Sequence, residues 1–188
     1  MNLLEYLKNH NIHLISFIGY SHSGKTASIE SIITAAKNRD FHCIVLKKTN
    51  HSLPIFDTPS KDTWKYSQNG ASMVIGRTKV EVATFLNKNL TEPQFDQFSI
   101  GLIQNYQNIF PQERILVMCE GFRNISSFQV LCAESVEDIE KQINPNVVAI
   151  AGKITSNNEF LAKISHDFHI PIINCLIEPE KLLKQLNI

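Results

Sequence analysis

The sequence predicts an α/β fold in three layers, a mainly parallel sheet with helices on both faces. Three observations carry this. Strand and helix signals alternate along the chain. Several strand candidates, among them Arg114 to Cys119 and Val147 to Ala151, are continuous apolar runs, as strands buried on both faces require. Gly19-Tyr-Ser-His-Ser-Gly24-Lys25-Thr26 spells G-x-x-x-x-G-K-T between an apolar, β-branched run and a helical periodicity. The order strand, phosphate-binding loop (P-loop), helix is that of the P-loop NTPase fold.

Each element follows from local pattern. Residues 3–9 read as a short amphipathic helix within an N-terminal extension, 1–12. His13 to Ile18 is the first strand. After Lys25, Ile29, Ile32, Ile33 and Ala36 fall at i, i+3, i+4 and i+7, the stripe of a helix with one buried face. Phe41 to Lys47 is the second strand. A long connection, 48–60, carries Pro54 and Pro59, and Ser60 is an expected N-cap for a helix over 61–69 closed by Asn69-Gly70. Ala71 to Gly76 and Val80 to Leu86 are two more strands. The spacing of Phe95, Phe98, Leu102, Tyr106 and Ile109 predicts a helix over 94–110 with these residues on one side. Strands at 114–119, 128–132 and 147–151 follow, with a helix from Ser135 between the last two. Ser156 and Glu159 form an expected capping box for a helix ending near Phe168. Ile172 to Leu176 is the last strand and 178–187 the last helix. With no internal repeat or low-complexity linker, a single domain over 1–188 is expected.

Composition narrows the function classes. The 188 residues carry 18 basic and 18 acidic side chains, a net charge of zero, which argues against nucleic-acid binding by phosphate neutralisation. No apolar run approaches a membrane span and the N-terminus does not read as a signal peptide, so a cytoplasmic protein without a membrane partner is expected. Cys43, Cys119, Cys132 and Cys175 form no C-x-x-C pair and sit in or just after apolar runs. They read as small buried hydrophobes in a reducing compartment.

The chemistry concentrates at strand ends. Backbone N–H groups of the loop, including those of Gly19, Ser21, Ser23, Gly24 and Ala27 in the helix's first turn, would converge on phosphates, and the helix dipole adds partial positive charge. Lys25 would reach the β- and γ-phosphates and the Thr26 hydroxyl would bind Mg²⁺. Glu120 directly follows the apolar strand at 114–119. An acid at that place lies near Thr26 and supplies the hard oxygen that Mg²⁺ needs, directly or through water. In a parallel sheet, ligands bind beyond the carboxyl ends of strands. The loops after 13–18, 41–47 and 114–119 should therefore share one crevice.

A second cluster is Lys47-Lys48-Thr49-Asn50-His51 and, shortly after, Asp57-Thr-Pro-Ser-Lys61-Asp62. Lys47, Lys48, His51 and Lys61 could face phosphates. Asp57 or Asp62 could hold a Mg²⁺-bound water or sense the γ-phosphate as a switch, with a solvated loop and a helix cap as the plainer reading. His166 and His169 have H-x-x-H spacing without an evident third ligand and read as a polar helix face. No N-K-x-D guanine motif is present. Asn87-Lys88-Asn89-Leu90 ends on the wrong residue.

On these residues the chain resembles the molybdopterin-guanine dinucleotide biosynthesis protein B (MobB) family. The matching segments are Phe17 to Thr26, Leu46-Lys-Lys-Thr-Asn-His51, Asp57-Thr-Pro-Ser-Lys-Asp62, Gly70-Ala71, Ile115-Leu-Val-Met-Cys-Glu-Gly-Phe-Arg123 and Asn146 to Ala151. The Asp-x-Pro-x-Lys-Asp segment together with Glu-Gly-Phe-Arg is far more specific than the P-loop alone. The resemblance implies a GTP-binding adaptor with weak, Mg²⁺-dependent GTPase activity. It also implies a homodimer, a molybdopterin nucleotidyltransferase as partner and molybdopterin as a further ligand. Lys48 and Asn50 stand where histidines are common in the family, Ser60 where glycine is usual, and Ala151-Gly152-Lys153 lacks an aspartate common after that strand.

Two further function classes share the fold. A small-molecule phosphotransferase would need an acceptor pocket and usually an arginine-rich lid, and this chain has only Arg39, Arg77, Arg114 and Arg123. A non-hydrolysing nucleotide-binding module would need only the loop.

Overall fold

In the computed structural model, residues 1–49, 56–122, 127–156 and 168–188 are described. The chain divides into two compact units, Met1–Lys48 with Ser99–Ile188, and Thr49–Phe98.

The first unit is built on a five-stranded, all-parallel sheet of β1 (His13–Ile18), β2 (Phe41–Lys47), β5 (Arg114–Glu120), β6 (Phe128–Cys132) and β7 (Val147–Ala151), in the order β2-β5-β1-β6-β7. β1 is central, and five of its six residues are buried because both of its faces are covered. Its alternation sorts the core. Ile15 and Phe17 join a cluster that includes Ile29 and Ile32 of α2 (Lys25–Lys37) and Leu182 and Leu183 of α6 (Pro179–Gln185). Ile18 joins a second cluster with Ile139 of α5 (Val136–Gln142). The three-layer arrangement expected from the apolar runs is thus present. Of the expected stripe on α2, Ile29, Ile32 and Ala36 are buried and Ile33 packs partly against the core. Burial of one such isoleucine contributes roughly 1.5–3 kcal/mol.

Helix ends are set by short polar residues. α1 (Leu3–Asn9) starts at Asn2, whose side chain accepts from the Glu5 N–H at 2.9 Å. It is tied down by Leu3, Tyr6 and Leu7, all buried, and the Tyr6 hydroxyl donates to Gln107 of α4 (Glu92–Ile109) at 2.7 Å. α5 has a reciprocal capping box of Ser135 and Asp138. At the edge strand β2, His42 shares a hydrogen bond of 2.5 Å between Nδ1 and the Tyr106 hydroxyl, and its Nε2 lies 2.8 Å from Glu113 Oε2. The Arg114 guanidinium lies 4.0 Å from the centre of the Phe41 ring.

The second unit holds α3 (Asp62–Gln68) and an antiparallel hairpin of β3 (Met73–Arg77) and β4 (Val82–Leu86). Its turn is wider than the sequence suggests. Thr78 Oγ1 accepts from the N–H groups of Val80 and Glu81, so pairing begins at Val82 rather than Val80.

Three expectations are corrected. Ser60 is not the N-cap of α3. Lys61 holds that position without a side-chain bond, and Asp57 Oδ1 instead accepts from Thr58 N at 2.8 Å and Thr63 Oγ1 at 3.2 Å. The buried face of α4 is Ser99, Ile100 and Ile103, while Leu102 and Ile109 are exposed. The aromatic spacing matched a helix, but its stripe is only partly covered: Phe95, Phe98 and Tyr106 are half-buried beside the fully buried residues. Finally, 172–176 forms only a bridge between Ile150 and Ile172. Asn174 ends the pairing. Its side chain accepts from Leu176 N and its carbonyl from Ile177 and Glu178, which turns the chain into α6. The helix expected from Ser156 lies beyond the described residues, and 153–156 is a 3-10 turn.

Cys132 and Cys175 sit against Ser28 in the core. Burial pushes the Cys132 thiol up to about 12 and the Cys175 thiol up to about 11, partly offset by hydrogen bonding with Ser28. In the unfolded chain both return to the ordinary value of 9.0. Between that pH and the folded values the unfolded state loses protons that the native state keeps, so stability falls as pH rises. The urea midpoint should decline above about pH 9, and the decline should be shallower in Cys132→Ala/Cys175→Ala. Parallel pH profiles for the two proteins would contradict this.

Candidate functional site

The P-loop fills the gap between β1 and α2 and is shaped by backbone against backbone. Gly19 has φ 141°, and a Cβ there would lie 2.1 Å from the Cys132 carbonyl oxygen at the end of β6. No side chain fits at that position. Gly24 is the N-cap of α2 in the left-handed region, φ 95°, with no side-chain cap and no acid in the helix's first turn. A glycine cap leaves the first-turn N–H groups, including those of Thr26 and Ala27, without the side-chain acceptor that a serine or aspartate would supply. With the helix dipole, this end of α2 suits an anion.

The site's charged groups are engaged with one another. Lys25 curls over the loop, its Nζ donating to the carbonyls of Gly19 at 3.0 Å and Tyr20 at 2.6 Å. Thr26 Oγ1 donates to Glu120 Oε1 at 3.4 Å. Lys47 Nζ lies 3.2 Å from Glu120 Oε2, with the carboxylate side chain only 12% exposed. Glu120 is the register partner of Lys47 on one side and of Phe17 on the other. Thr26 Oγ and the Glu120 carboxylate together offer hard oxygen donors suited to a small divalent cation. The Ser23 hydroxyl is buried and has no hydrogen-bond partner among the described residues, a polar group left over inside the loop.

The loop after β7 forms a wall against the glycine loop, a role not read from the sequence, where Ala151-Gly152-Lys153 stood out only for lacking an aspartate. Lys153 N donates to the Ser23 carbonyl at 3.1 Å. Gly152 has φ 89°, and a Cβ there would lie 2.3 Å from Ser23 O and 3.0 Å from both N and O of Ala133. Lys153 Nζ reaches Glu134 at 3.3 Å, a rim pair more than half exposed and worth little to stability. At the other side of the site, Lys48 N donates to Glu120 O at 2.9 Å, and Gly121 turns with φ 87° against the Lys48 carbonyl. Phe122 O accepts from Ser16 Oγ of β1 at 3.0 Å.

The structure thus brings together Gly19, Ser21, Ser23, Gly24, Lys25, Thr26, Ala27, Lys48 and Glu120, all on the first unit. Asp57, Lys61 and Asp62 belong to the second. There Asp57 is half-buried, and its Oδ2 has no partner among the described residues. Asp62 makes an exposed i,i+3 pair with Lys65 at 3.1 Å, and Lys61 is exposed. His51, Arg123 and His166 lie outside the described residues. A cleft of about 370 Å³ lined by Leu7, Ile12, Phe128 and Ile188 lies at the amino end of the strands and shares no residue with the P-loop. No helix among the described residues is long and apolar enough to cross a membrane.

Gly152→Ala should disturb the loop from a distance. A left-handed residue costs roughly 1–2 kcal/mol without glycine, and overlap of the added methyl with Ser23 and Ala133 raises that cost. A lower urea midpoint than wild type is expected. An unchanged midpoint would mean that the 152–153 turn can move without cost.

The profile of the family described as "Molybdopterin guanine dinucleotide synthesis protein B" (MobB) matches residues 14–153, most of the chain and all of the site on the first unit. The sequence is 36% identical over 67 residues to the molybdopterin-guanine dinucleotide biosynthesis adapter protein of Haemophilus influenzae, covering 36% of this chain and 37% of that one. It is 29% identical over 140 residues to a Bacillus subtilis protein named "Probable molybdopterin-guanine dinucleotide biosynthesis adapter protein", covering 73% and 74%. The fold is similar to the crystal structure of Bacillus subtilis MobB, with a TM-score of 0.69 at 22% identity over 93% of this chain and 98% of that one. A MobB homolog from Bacillus stearothermophilus gives 0.59 at 18% identity over 93% and 95%. Together the matched residues and the shared fold establish that this chain belongs to the MobB family.

Proposed function

We propose that the protein is a GTP-binding adaptor with weak GTPase activity in the biosynthesis of molybdopterin guanine dinucleotide, where it assists the nucleotidyltransferase step. The observation that carries this is one arrangement: Lys25, Thr26 and Glu120 gathered at the uncapped N-terminus of α2. On this reading the loop N–H groups and Lys25 hold the phosphates of GTP. Thr26 and Glu120 hold Mg²⁺, which when bound neutralises charge on the phosphates. Lys25 must first leave the Gly19 and Tyr20 carbonyls, so nucleotide exchanges neutral acceptors for charged ones, which form the stronger hydrogen bonds.

An expected slow turnover favours an adaptor over a producer. Arg39 is committed to Glu180 at 2.5 Å and to the Ile188 carbonyl, and Arg114 to the Phe41 ring and the Arg39 carbonyl. Neither of these two is free to serve as an arginine finger, a group that contributes ~10³–10⁵ in rate; Arg123, just after Glu120 in sequence, is the arginine that could serve as one, in cis or across a dimer. Asp57 and Asp62, with Lys48, His51 and Lys61, then serve as a nucleotide-sensing segment. Phe56, 67% exposed beside Asp57, supports a docking surface for the molybdopterin nucleotidyltransferase. The same reading makes the protein a cytoplasmic homodimer, with molybdopterin as a further ligand.

Calorimetry with Mg²⁺ and GTP should give binding that Lys25→Ala weakens by roughly 1.5–3 kcal/mol, the worth of a charge-assisted contact. Because the chain has no N-K-x-D motif and Ala151-Gly152-Lys153 lacks the aspartate common after that strand in the family, GTP should be preferred over ATP by less than about 100-fold. Equal affinity of mutant and wild type would remove the phosphate site from this loop.

Phosphate release by the isolated protein should stay below about 1 per minute, as in GTPases without a finger. Phe56→Ala should reduce capture of a molybdopterin nucleotidyltransferase. Fast turnover together with unchanged capture would turn the reading towards a phosphotransferase.

A further inference from the structure

We propose that Lys47 is the cation that neutralises Glu120 while no metal is bound, and that its displacement sets the affinity of the site for Mg²⁺. This rests on the reading above in taking Thr26 and Glu120 as the metal position.

The sheet itself dictates the contact. Lys47 and Glu120 end neighbouring parallel strands in direct register, so both side chains leave the same face of the sheet a strand spacing apart. On the other side, the register partner of Glu120 is Phe17, fully buried and without charge. A carboxylate that is 12% exposed needs a counter-charge, and the Lys47 ammonium supplies it at 3.2 Å. The remaining oxygen, Oε1, takes the Thr26 hydroxyl at 3.4 Å. Both oxygens that a metal would use are therefore already satisfied by groups of this chain.

A divalent ion cannot join that arrangement unchanged. Held by Thr26 Oγ and Glu120, it would sit within a few ångströms of the ammonium, where like charges repel strongly in a partly desolvated site. Lys47 can leave at little cost. Its side chain is 45% exposed and its long stem can carry the charge into water. Metal entry is then an exchange, Mg²⁺ for ammonium, with the carboxylate neutralised before and after. A plain structural staple between β2 and β5 would lower stability when lost and leave metal affinity alone.

The test uses the full chain without nucleotide, with Mn²⁺ as the probe and free Mn²⁺ read by electron paramagnetic resonance. Lys47→Met, which keeps the stem and removes the charge, should bind Mn²⁺ roughly two- to fivefold more tightly than wild type, as expected for losing a competing pair with one half-exposed partner. Lys47→Arg should stay close to wild type. In the Lys47→Met background, Glu120→Gln should abolish the gain. Thermal melts should show Lys47→Met less stable than wild type in EDTA, with the gap closing as Mn²⁺ is added. Should Lys47→Met fail to fold, Lys47→Gln takes its place. Equal or weaker Mn²⁺ binding by the neutral variant overturns the proposal, as does the absence of Mn²⁺ binding in both proteins. Failure of wild type to bind GTP in calorimetry, with the Lys47 effect intact, would overturn only the functional reading.

Discussion

Close backbone approach around residues 19–24 is the constraint on which this site depends. Gly19 presses on the carbonyl of Cys132, and Gly152 presses on the carbonyl of Ser23, both at distances where a Cβ would overlap. Lys153 N then donates to that Ser23 carbonyl. The loop between β1 and α2 is thus held between the ends of β6 and β7 by groups that every residue possesses, and what is selected is the absence of side chains. That leaves the N–H groups at the start of α2 without a side-chain cap. The Ser23 hydroxyl, unpartnered among the described residues, follows from the same crowding, a buried polar atom inside a loop whose neighbours are backbone.

The parallel sheet converts this local geometry into a site. Because β1 is central, the strands on both sides end beside the loop that follows it. β5 brings Glu120 to Thr26, β2 brings Lys47 to Glu120, and β6 and β7 bring the glycine wall. The charges meet because of register: one residue of slip between β2 and β5 would point Lys47 to the opposite face. The buried apolar runs that fix the register form the core clusters on the two faces of the sheet, and they reach up to the site itself at Phe17 and Cys132.

Much of the fold was legible because its signals are local. The α2 stripe, the apolar runs of β5 and β7, and the helix start at Ser135 are each contained within a few residues, and they appear where pattern placed them. The misreadings occur where a local signal met a longer-range competitor. Ser60 had cap chemistry, but Asp57 supplied the local bonds ahead of α3. The apolar run 172–176 could have paired further, but Asn174 bonds its own following backbone and turns the chain. On α4, periodicity announced a helix, whereas the choice between two apolar stripes belonged to the partners it packs against.

The G-x-x-x-x-G-K-T loop, its flanking strand and helix, and the acid at the end of the β5 strand could all be read from the sequence alone, because each is a spacing rule written within one segment. Only the tertiary structure decided that Glu120 is shared between Thr26 and Lys47, and that Gly152 walls the loop. Those contacts join residues far apart along the chain, 94 positions in the case of Thr26 and Glu120. Strand order and register, which are set by the packing of the whole core, bring them together.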